Sequence, residues 1–305
     1  MARQTAAVCP AQVTTIGAIG LLLQRGGADR RLGALSGLLA DSESVLIVHR
    51  PERRAVVRRS GRAPTTYLKL VRPDRLATHV NAMRLDGQAG FRTPVVLAAD
   101  ASTGTIECTA LAGRSLHGLL GETGVSGAAS AAFRAAGAAV RDLHGSAPPA
   151  GVGCHDALAE AEVVDRWIGH ALAHGTFTVA QAVVARSALA DAQSRLARLV
   201  PPTSSSLIHR DLHDKQILVD DDGGVGLLDL DTLAIGDPAL DVANLLAHLE
   251  LRVVQGQGSP AGARVAADAF LEGYRPTPEL MERVATYVAT SRLRLACVYA
   301  FRPRW

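Results

Sequence analysis

The chain has 305 residues, 48% of them hydrophobic and 20% charged. That is enough apolar matter for one large or two modest folded domains, and it excludes a disordered chain. Net charge is +3, and aromatics are only 4%. So few aromatics argue against a single-strand nucleic-acid binder, which needs stacking platforms.

The charge is unevenly spread. Residues 1–110 carry 15 Arg or Lys against 8 Asp or Glu, whereas residues 111–305 are net acidic. A basic front half suits a polyanion or a phosphate-rich nucleotide. Cys9, Cys108, Cys154 and Cys297 form no C-x-x-C pair and fit a reducing cytoplasm better than a disulfide scaffold. No apolar run reaches the ~18 residues of a membrane span. The apolar stretch Val13–Leu23 lacks the charged start and small-residue cleavage site of an export signal, and reads as an amphipathic helix.

In chain order, residues 11–40 read as helical, broken at Gly26-Gly27. Ser44–Arg50, Arg53–Arg59 and Thr65–Val71 are β-rich runs separated by turn signals at Pro51-Glu52 and Gly61–Pro64. A helix follows over Asp74–Leu85, then strands over Pro94–Ala99 and Thr105–Ala110. Leu111–Arg114 reads as a hinge. Beyond it the spacing is mostly helical: Ser126–His144, Asp156–His174, Val179–Leu199, Ala239–Leu251, Ala261–Tyr274 and Glu279–Tyr299. Two short β-runs, Ile217–Val219 and Val225–Leu228, interrupt them. The expected fold class is α+β, with a small antiparallel-sheet lobe (1–110) and a larger, mostly helical lobe (111–305).

Lysine usage singles out two positions. Of 32 basic residues 30 are arginine, and the only lysines are Lys69 and Lys215. A lysine is hard to replace where a compact point charge must reach a phosphate. Lys69 lies in the third strand. Lys215 lies in His209-Arg210-Asp211-Leu212-His213-Asp214-Lys215-Gln216, which a hairpin separates from Asp229-Leu230-Asp231. Phosphoryl transfer needs a carboxylate to orient the attacking hydroxyl, hard oxygen ligands for Mg²⁺, and a cation on the phosphates. Asp211, Gln216, Asp229 and Lys215 supply that set in a short span. Asp231 is either a further metal ligand or the start of the next loop.

The H-x-D loop, an amide five residues on, the Asp after a hairpin, and Gly236-Asp237-Pro238-x-x-Asp241 together resemble the aminoglycoside phosphotransferase/choline kinase-like family of the protein-kinase fold. The likeness is sharp over roughly 35 residues and looser back to Ser44. It implies ATP and Mg²⁺ as cofactors and a small-molecule hydroxyl as acceptor. It further implies Asp211 as the base, Gln216 and Asp229 as Mg²⁺ ligands, Lys69 as the strand lysine, and adenine near Glu107 and Ala110. Asp241 would buttress the catalytic loop.

The chain departs from the family pattern in several places. Gln216 stands for the usual Asn, and Arg210 for the glycine common in this branch. His79 stands where the lysine's Glu partner is usual. The phosphate-covering turn His49–Arg54 has no glycine, and Arg53 is its candidate phosphate clamp. No protein-kinase activation segment follows Asp231, which argues against a protein substrate. The departures at His79 and Gln216 leave a nucleotide-binding regulator as the alternative to an active enzyme. His213 reads as structural or pocket-lining rather than as a metal ligand, with no second His or Cys expected beside it. Glu160, Glu162 and Asp165 read by default as a solvated helix face, or as an acidic pocket for a cationic acceptor, whereas the basic tail of Arg292, Arg294, Arg302 and Arg304 would hold an anionic one. The sequence leaves acceptor and oligomeric state open.

Overall fold

The computed structural model describes residues 12–61, 64–83, 85, 90–120, 127–200, 202 and 206–302. It divides into two compact units. One comprises Met1–Leu85 and Thr93–Leu111, the other Asp86–Arg92 and Ala112–Trp305.

The first unit begins with a hairpin of β1 (Val13–Ile16) and β2 (Leu21–Gln24). The expected helix over residues 11–40 is confined to α1 (Leu35–Leu39). Val13, Thr14, Thr15 and Ile16 are a β-branched run that resists helix, and Gly20 takes the left-handed conformation (φ 63°) that closes the turn. Next come β3 (Ser44–Arg50), β4 (Arg54–Arg59), β5 (Thr66–Val71), α2 (Leu76–Ala82), β6 (Val96–Asp100) and β7 (Thr105–Thr109). The five strands form one antiparallel sheet in the order β3-β4-β5-β7-β6.

Strand alternation gives this sheet two different faces. Ala55, Val57, Leu68 and Leu70 pack on Leu32 and Leu35 at the α1 side. Val71, Ile106 and Cys108 pack on Leu76 of α2 at the other. Lys69 pairs in register with Ile106, and so lies on the α2 face. Leu68 pairs with Glu107, so the Glu107 side chain lies on the opposite face.

The second unit contains β8 (Arg114–Ser115), α3 (Leu116–Leu120), α4 (Gly127–His144), β9 (Cys154–His155), α5 (Ala157–Ala173), α6 (Val179–Ala197), β10 (Ser206–Ile208), β11 (Ile217–Val219), β12 (Val225–Leu227), β13 (Ala234–Gly236), α7 (Ala239–Val254), α8 (Pro260–Tyr274) and α9 (Pro278–Ala300). Caps set the helix starts. Asp156, Ser259 and Thr277 each accept a backbone N–H of the first turn, and Thr178 with Gln181 forms a capping box. No described helix is long and apolar enough to cross a membrane.

Helices α4 and α8 meet at two glycines. A Cβ on Gly137 would strike the Phe270 carbonyl oxygen, and one on Gly273 would strike that of Arg134. Both obstacles are backbone, so the helices themselves must separate. Gly137→Ala is therefore expected to cost about 1–3 kcal/mol despite alanine's better helix propensity. Denaturant unfolding reads this directly, and an unchanged midpoint would contradict the close approach.

Candidate active site

Two pairs of short strands build the site in the second unit. β10 pairs with β13, and β11 with β12, all antiparallel. The connection from β10 to β11 is His209–Gln216, and that from β12 to β13 contains Asp229 and Asp231. Three hydrogen bonds tie the connections together. His209 Nε2–H donates to the Leu228 carbonyl at 2.8 Å, the Leu228 N–H donates to the Gln216 carbonyl at 2.9 Å, and Gln216 Nε2 donates to Asp229 Oδ2 at 3.3 Å. Gln216 and Asp229, separate in sequence, thus stand side by side. Asp229 adopts a left-handed backbone (φ 58°), which an Asp tolerates better than most residues. Asp231 follows in a one-turn 3-10 helix, Leu230–Thr232.

The Asp211 loop is held from beneath by α7. Asp241, fully buried, accepts the N–H of His209 at 2.6 Å and of Arg210 at 2.7 Å. His144 Nε2–H adds a third bond at 3.1 Å, and its Nδ1 accepts the Tyr274 hydroxyl at 2.8 Å. Burial would raise the Asp241 pKa, but His144 and the backbone donors hold it below the usual carboxylate range. The buttress expected of Asp241 is present. Asn244, one turn further along α7, donates to the Arg210 carbonyl at 2.8 Å, and Thr232 donates to the His209 carbonyl at 2.7 Å. Asp237 accepts the Ala239 N–H at 3.0 Å and pairs with Arg283 at 2.9 Å, so it caps α7 from just outside.

Arg210 has φ 69°, a conformation that suits glycine. An arginine there is strained by about 1 kcal/mol, which a glycine would not be. Burial lowers the pKa of its guanidinium, with Glu160 opposing and Arg294 reinforcing the shift.

Asp214 is a second buried anchor that the sequence reading missed. Arg252 of α7 grips both its oxygens (Nε to Oδ2 2.9 Å, NH2 to Oδ1 2.8 Å), and His117 Nδ1–H donates to it at 2.7 Å. Burial opposes ionisation of Asp214, but the Arg252 guanidinium keeps its pKa lowered. His213 does have a histidine neighbour in space. His248 stacks on it with ring centroids 4.7 Å apart. Both oxygens of Asp214 are spent on Arg252, so these three groups form a structural cluster rather than a free metal cage.

Burial lowers the pKa of both imidazoles, that of His248 well below its ordinary 6.5, with His213 adding to the effect. Below pH 6.5 the unfolded chain therefore takes up protons that the native state refuses, and stability falls with pH. The slope is about 1.4 kcal/mol per pH unit for one such histidine. A His248→Asn variant is expected to show a shallower loss of stability between pH 6.5 and 5. An identical slope would contradict the assignment.

In the first unit, Lys69 and His79 share the α2 side: Lys69 by its register on the sheet, His79 by its place on α2. The β3–β4 turn is built on Asp29, which is buried. Its carboxylate accepts the N–H of Glu52 at 2.7 Å, of Arg31 at 2.8 Å and of Leu32 at 3.2 Å, and His49 Nε2–H at 3.0 Å. Glu52, with φ 62°, is gripped by Arg30 through two 2.7 Å bonds. These bonds hold the turn where the family pattern has glycine flexibility. Arg53 is exposed in this turn, and its N–H closes it on the Arg50 carbonyl at 3.0 Å. Glu107 accepts the Thr66 hydroxyl at 2.8 Å, and Ala110 is exposed just past β7.

Several sequence cues on acceptor charge do not survive folding. Glu160 is buried and accepts His155 Nε2–H at 2.9 Å, so it is not part of a solvated acidic face. Glu162 and Asp165 do line a cavity of about 680 Å³, together with Asp156 and Tyr287. Of the basic tail, Arg292 is gripped by Glu250 at 2.6 and 2.7 Å, and Arg302 stacks on Tyr299 at 4.2 Å. Arg304 lies outside the described residues. Arg294 turns inward, with NH1 3.8 Å from Asp211 Oδ1.

The sequence model described as "Phosphotransferase enzyme family" matches residues 36–281. The chain belongs to that family. A search of curated proteins gave no match. Among solved structures, aminoglycoside phosphotransferase APH(3'')-Id from Streptomyces rimosus is similar with TM-score 0.59 at 21% identity, covering 86% of this chain and 96% of its own. Macrolide 2'-phosphotransferase MphH from Brachybacterium faecium gives TM-score 0.54 at 22% identity, covering 86% and 93%. A choline/ethanolamine kinase family protein from Mesorhizobium loti gives 0.56 at 20%, covering 87% and 82%. The α+β, protein-kinase-like fold of this phosphotransferase is the one these proteins share.

Proposed function

We propose that this phosphotransferase moves the γ-phosphoryl group of ATP, with Mg²⁺, to a hydroxyl of a small molecule. The observation that carries the reading is the apposition of Gln216 and Asp229 beside a buttressed Asp211 loop. Carboxylate and amide oxygens are the hard donors that Mg²⁺ prefers, and no thiolate is among them. Asp229 and Gln216 would hold the ion, with Asp231 as a further oxygen donor. When bound, Mg²⁺ neutralises charge on the phosphates.

The remaining work falls to side chains. Lys69 and the exposed Arg53 are assigned to phosphate oxygens, and the Glu107–Ala110 end of β7 to the adenine. Asp211 orients the acceptor hydroxyl and takes its proton as the new O–P bond forms and the β–γ bridge breaks to leave ADP. Lys215, exposed and four residues on, is placed for the transferring group. The solved relatives include a Streptomyces rimosus enzyme with ADP and streptomycin, and an amicoumacin kinase with AMP-PNP and Ca²⁺. They support a nucleotide and a small-molecule acceptor here too.

The test is transfer of label from γ-labelled ATP to a panel of aminoglycosides, macrolides, amino alcohols, sugars and nucleosides. Label is expected on at least one acceptor, requiring Mg²⁺ and falling about 10²–10⁴-fold in Asp211→Asn. Equal transfer by that variant would remove Asp211 from the mechanism. A protein that binds Mg²⁺–ATP and labels nothing would favour the regulator that His79 and Gln216 raise.

A further inference from the structure

The Asp211 carboxylate makes no hydrogen bond among the described residues, and its side chain is 43% exposed. Among the described residues one fixed charge lies within ion-pair distance of it, the Arg294 guanidinium at 3.8 Å, while Arg210 couples to it from further off. Arg294 comes from α9, beyond the segment that matches the family model. Its side chain is only 13% exposed. NH2 donates to Asn244 Oδ1 at 2.7 Å, and the same oxygen accepts the Ser291 hydroxyl at 2.6 Å. Asn244 in turn donates to the Arg210 carbonyl, one residue before Asp211. The guanidinium is thus referenced to the loop backbone by one edge while another edge faces Asp211.

Its second carboxylate neighbour is Glu160, 4.0 Å from Nε. Both Nε of Arg294 and Oε1 of Glu160 are buried without a hydrogen-bond partner. Arg294 therefore stands between two carboxylates and is hydrogen-bonded to neither. A buried cation in that position is costly as a mere structural strut, because a well-packed apolar side chain would stabilise α9 as well or better.

We infer that Arg294 is a positioning residue for Asp211. It holds the otherwise unbonded carboxylate by charge, in the direction that Asn244 sets. An oxygen nucleophile must lie within hydrogen-bond reach of the base, and small misplacements of such a group cost rate steeply. This inference rests on the phosphotransferase reading, and Arg294 acts only through Asp211.

The test uses the full chain and no acceptor. Mg²⁺-dependent hydrolysis of ATP puts water in the acceptor's place: the water oxygen bonds to the γ-phosphorus, ADP leaves, and the proton passes to Asp211. Arg294→Gln is expected to lower this hydrolysis about tenfold or more. The Mg²⁺–ATP shift in melting temperature should stay as in wild type, because no assigned nucleotide or metal ligand is altered. Arg294→Lys, which keeps the charge without the planar fork, should recover part of the rate. A glutamine variant hydrolysing within twofold of wild type would overturn the inference. Should that variant not melt cooperatively, Arg294→Met, an apolar side chain that removes the charge, decides: a loss of about threefold or more at an unchanged nucleotide shift supports positioning, and a wild-type rate overturns it. Absence of any nucleotide shift in wild type would sink the phosphotransferase reading and this inference together. A wild-type rate in a folded variant would sink this inference alone.

Discussion

Replacing Asp241 with alanine is expected to destabilise the second unit by about 3–5 kcal/mol, the scale for removing one partner from a buried charged network. The carboxylate accepts two backbone N–H groups and one imidazole N–H, all buried. Its removal strands three donors at once, and stranded buried donors cost about 1–3 kcal/mol each when nothing replaces the acceptor. The Asp211 loop would also lose its floor, so activity should fall further than stability alone explains. Asp241→Asn tests the same point more gently. An amide oxygen can serve one N–H, but the amide nitrogen would meet another donor. Because the Asp241 pKa is lowered in the native state, the same bond network predicts acid lability. Its stabilisation is full above the ordinary carboxylate pKa of 3.8 and is lost as pH falls through the native value. Chemical denaturation at several pH values reads both effects. A variant as stable as wild type would show that the loop is held by something else.

The second large effect is expected at Asp229. Asp229→Ala should lower phosphoryl transfer by ~10³-fold or more, since the assigned Mg²⁺ carboxylate carries much of the charge neutralisation. Folding should suffer less than in Asp241→Ala. The Asp229 side chain meets the Gln216 amide at a long 3.3 Å, and the bonds of Leu228 to the His209 imidazole and to the Gln216 carbonyl do not involve that side chain. Asp229 and Asp241 thus make a matched pair, one expected to lose chemistry and the other to lose structure first.

Much of the candidate site's arrangement was legible because its residues are local in sequence. His209, Asp211, Gln216 and Asp229 lie within one loop and one hairpin, and short-range spacing is what a sequence displays best. Asp241 was readable for the same reason, from its fixed offset after Gly236-Asp237-Pro238. Arg294 was visible only as a charge in a basic tail. That it turns inward, while Arg292 turns out to Glu250, depends on how α9 rolls against α7, which no local pattern records. Glu160 reads from sequence as part of a solvated or pocket-lining acidic face, yet it is buried, because exposure is a tertiary property and His155 is not visible as its partner. The stacking of His213 on His248 failed for the same reason.

The strands and helices matched expectation wherever periodicity and turn residues agreed. They failed at the N-terminus, where an apolar run was read as helix against its own β-branched content. Asp29 was passed over because its importance lies in four hydrogen bonds, one of them to the backbone of Glu52, 23 residues later.

The central claim is a nucleotide site completed by Mg²⁺ on Asp229. The most direct measurement is thermal stability with ATP, GTP or neither, each with and without Mg²⁺, in wild type and Asp229→Ala. Ligand at ~100 times its dissociation constant stabilises by about 2.7 kcal/mol, enough to move the transition by several degrees. The account predicts a Mg²⁺-dependent nucleotide shift in wild type that Asp229→Ala loses. A shift indifferent to both Mg²⁺ and Asp229, or no shift with any nucleotide, would contradict it.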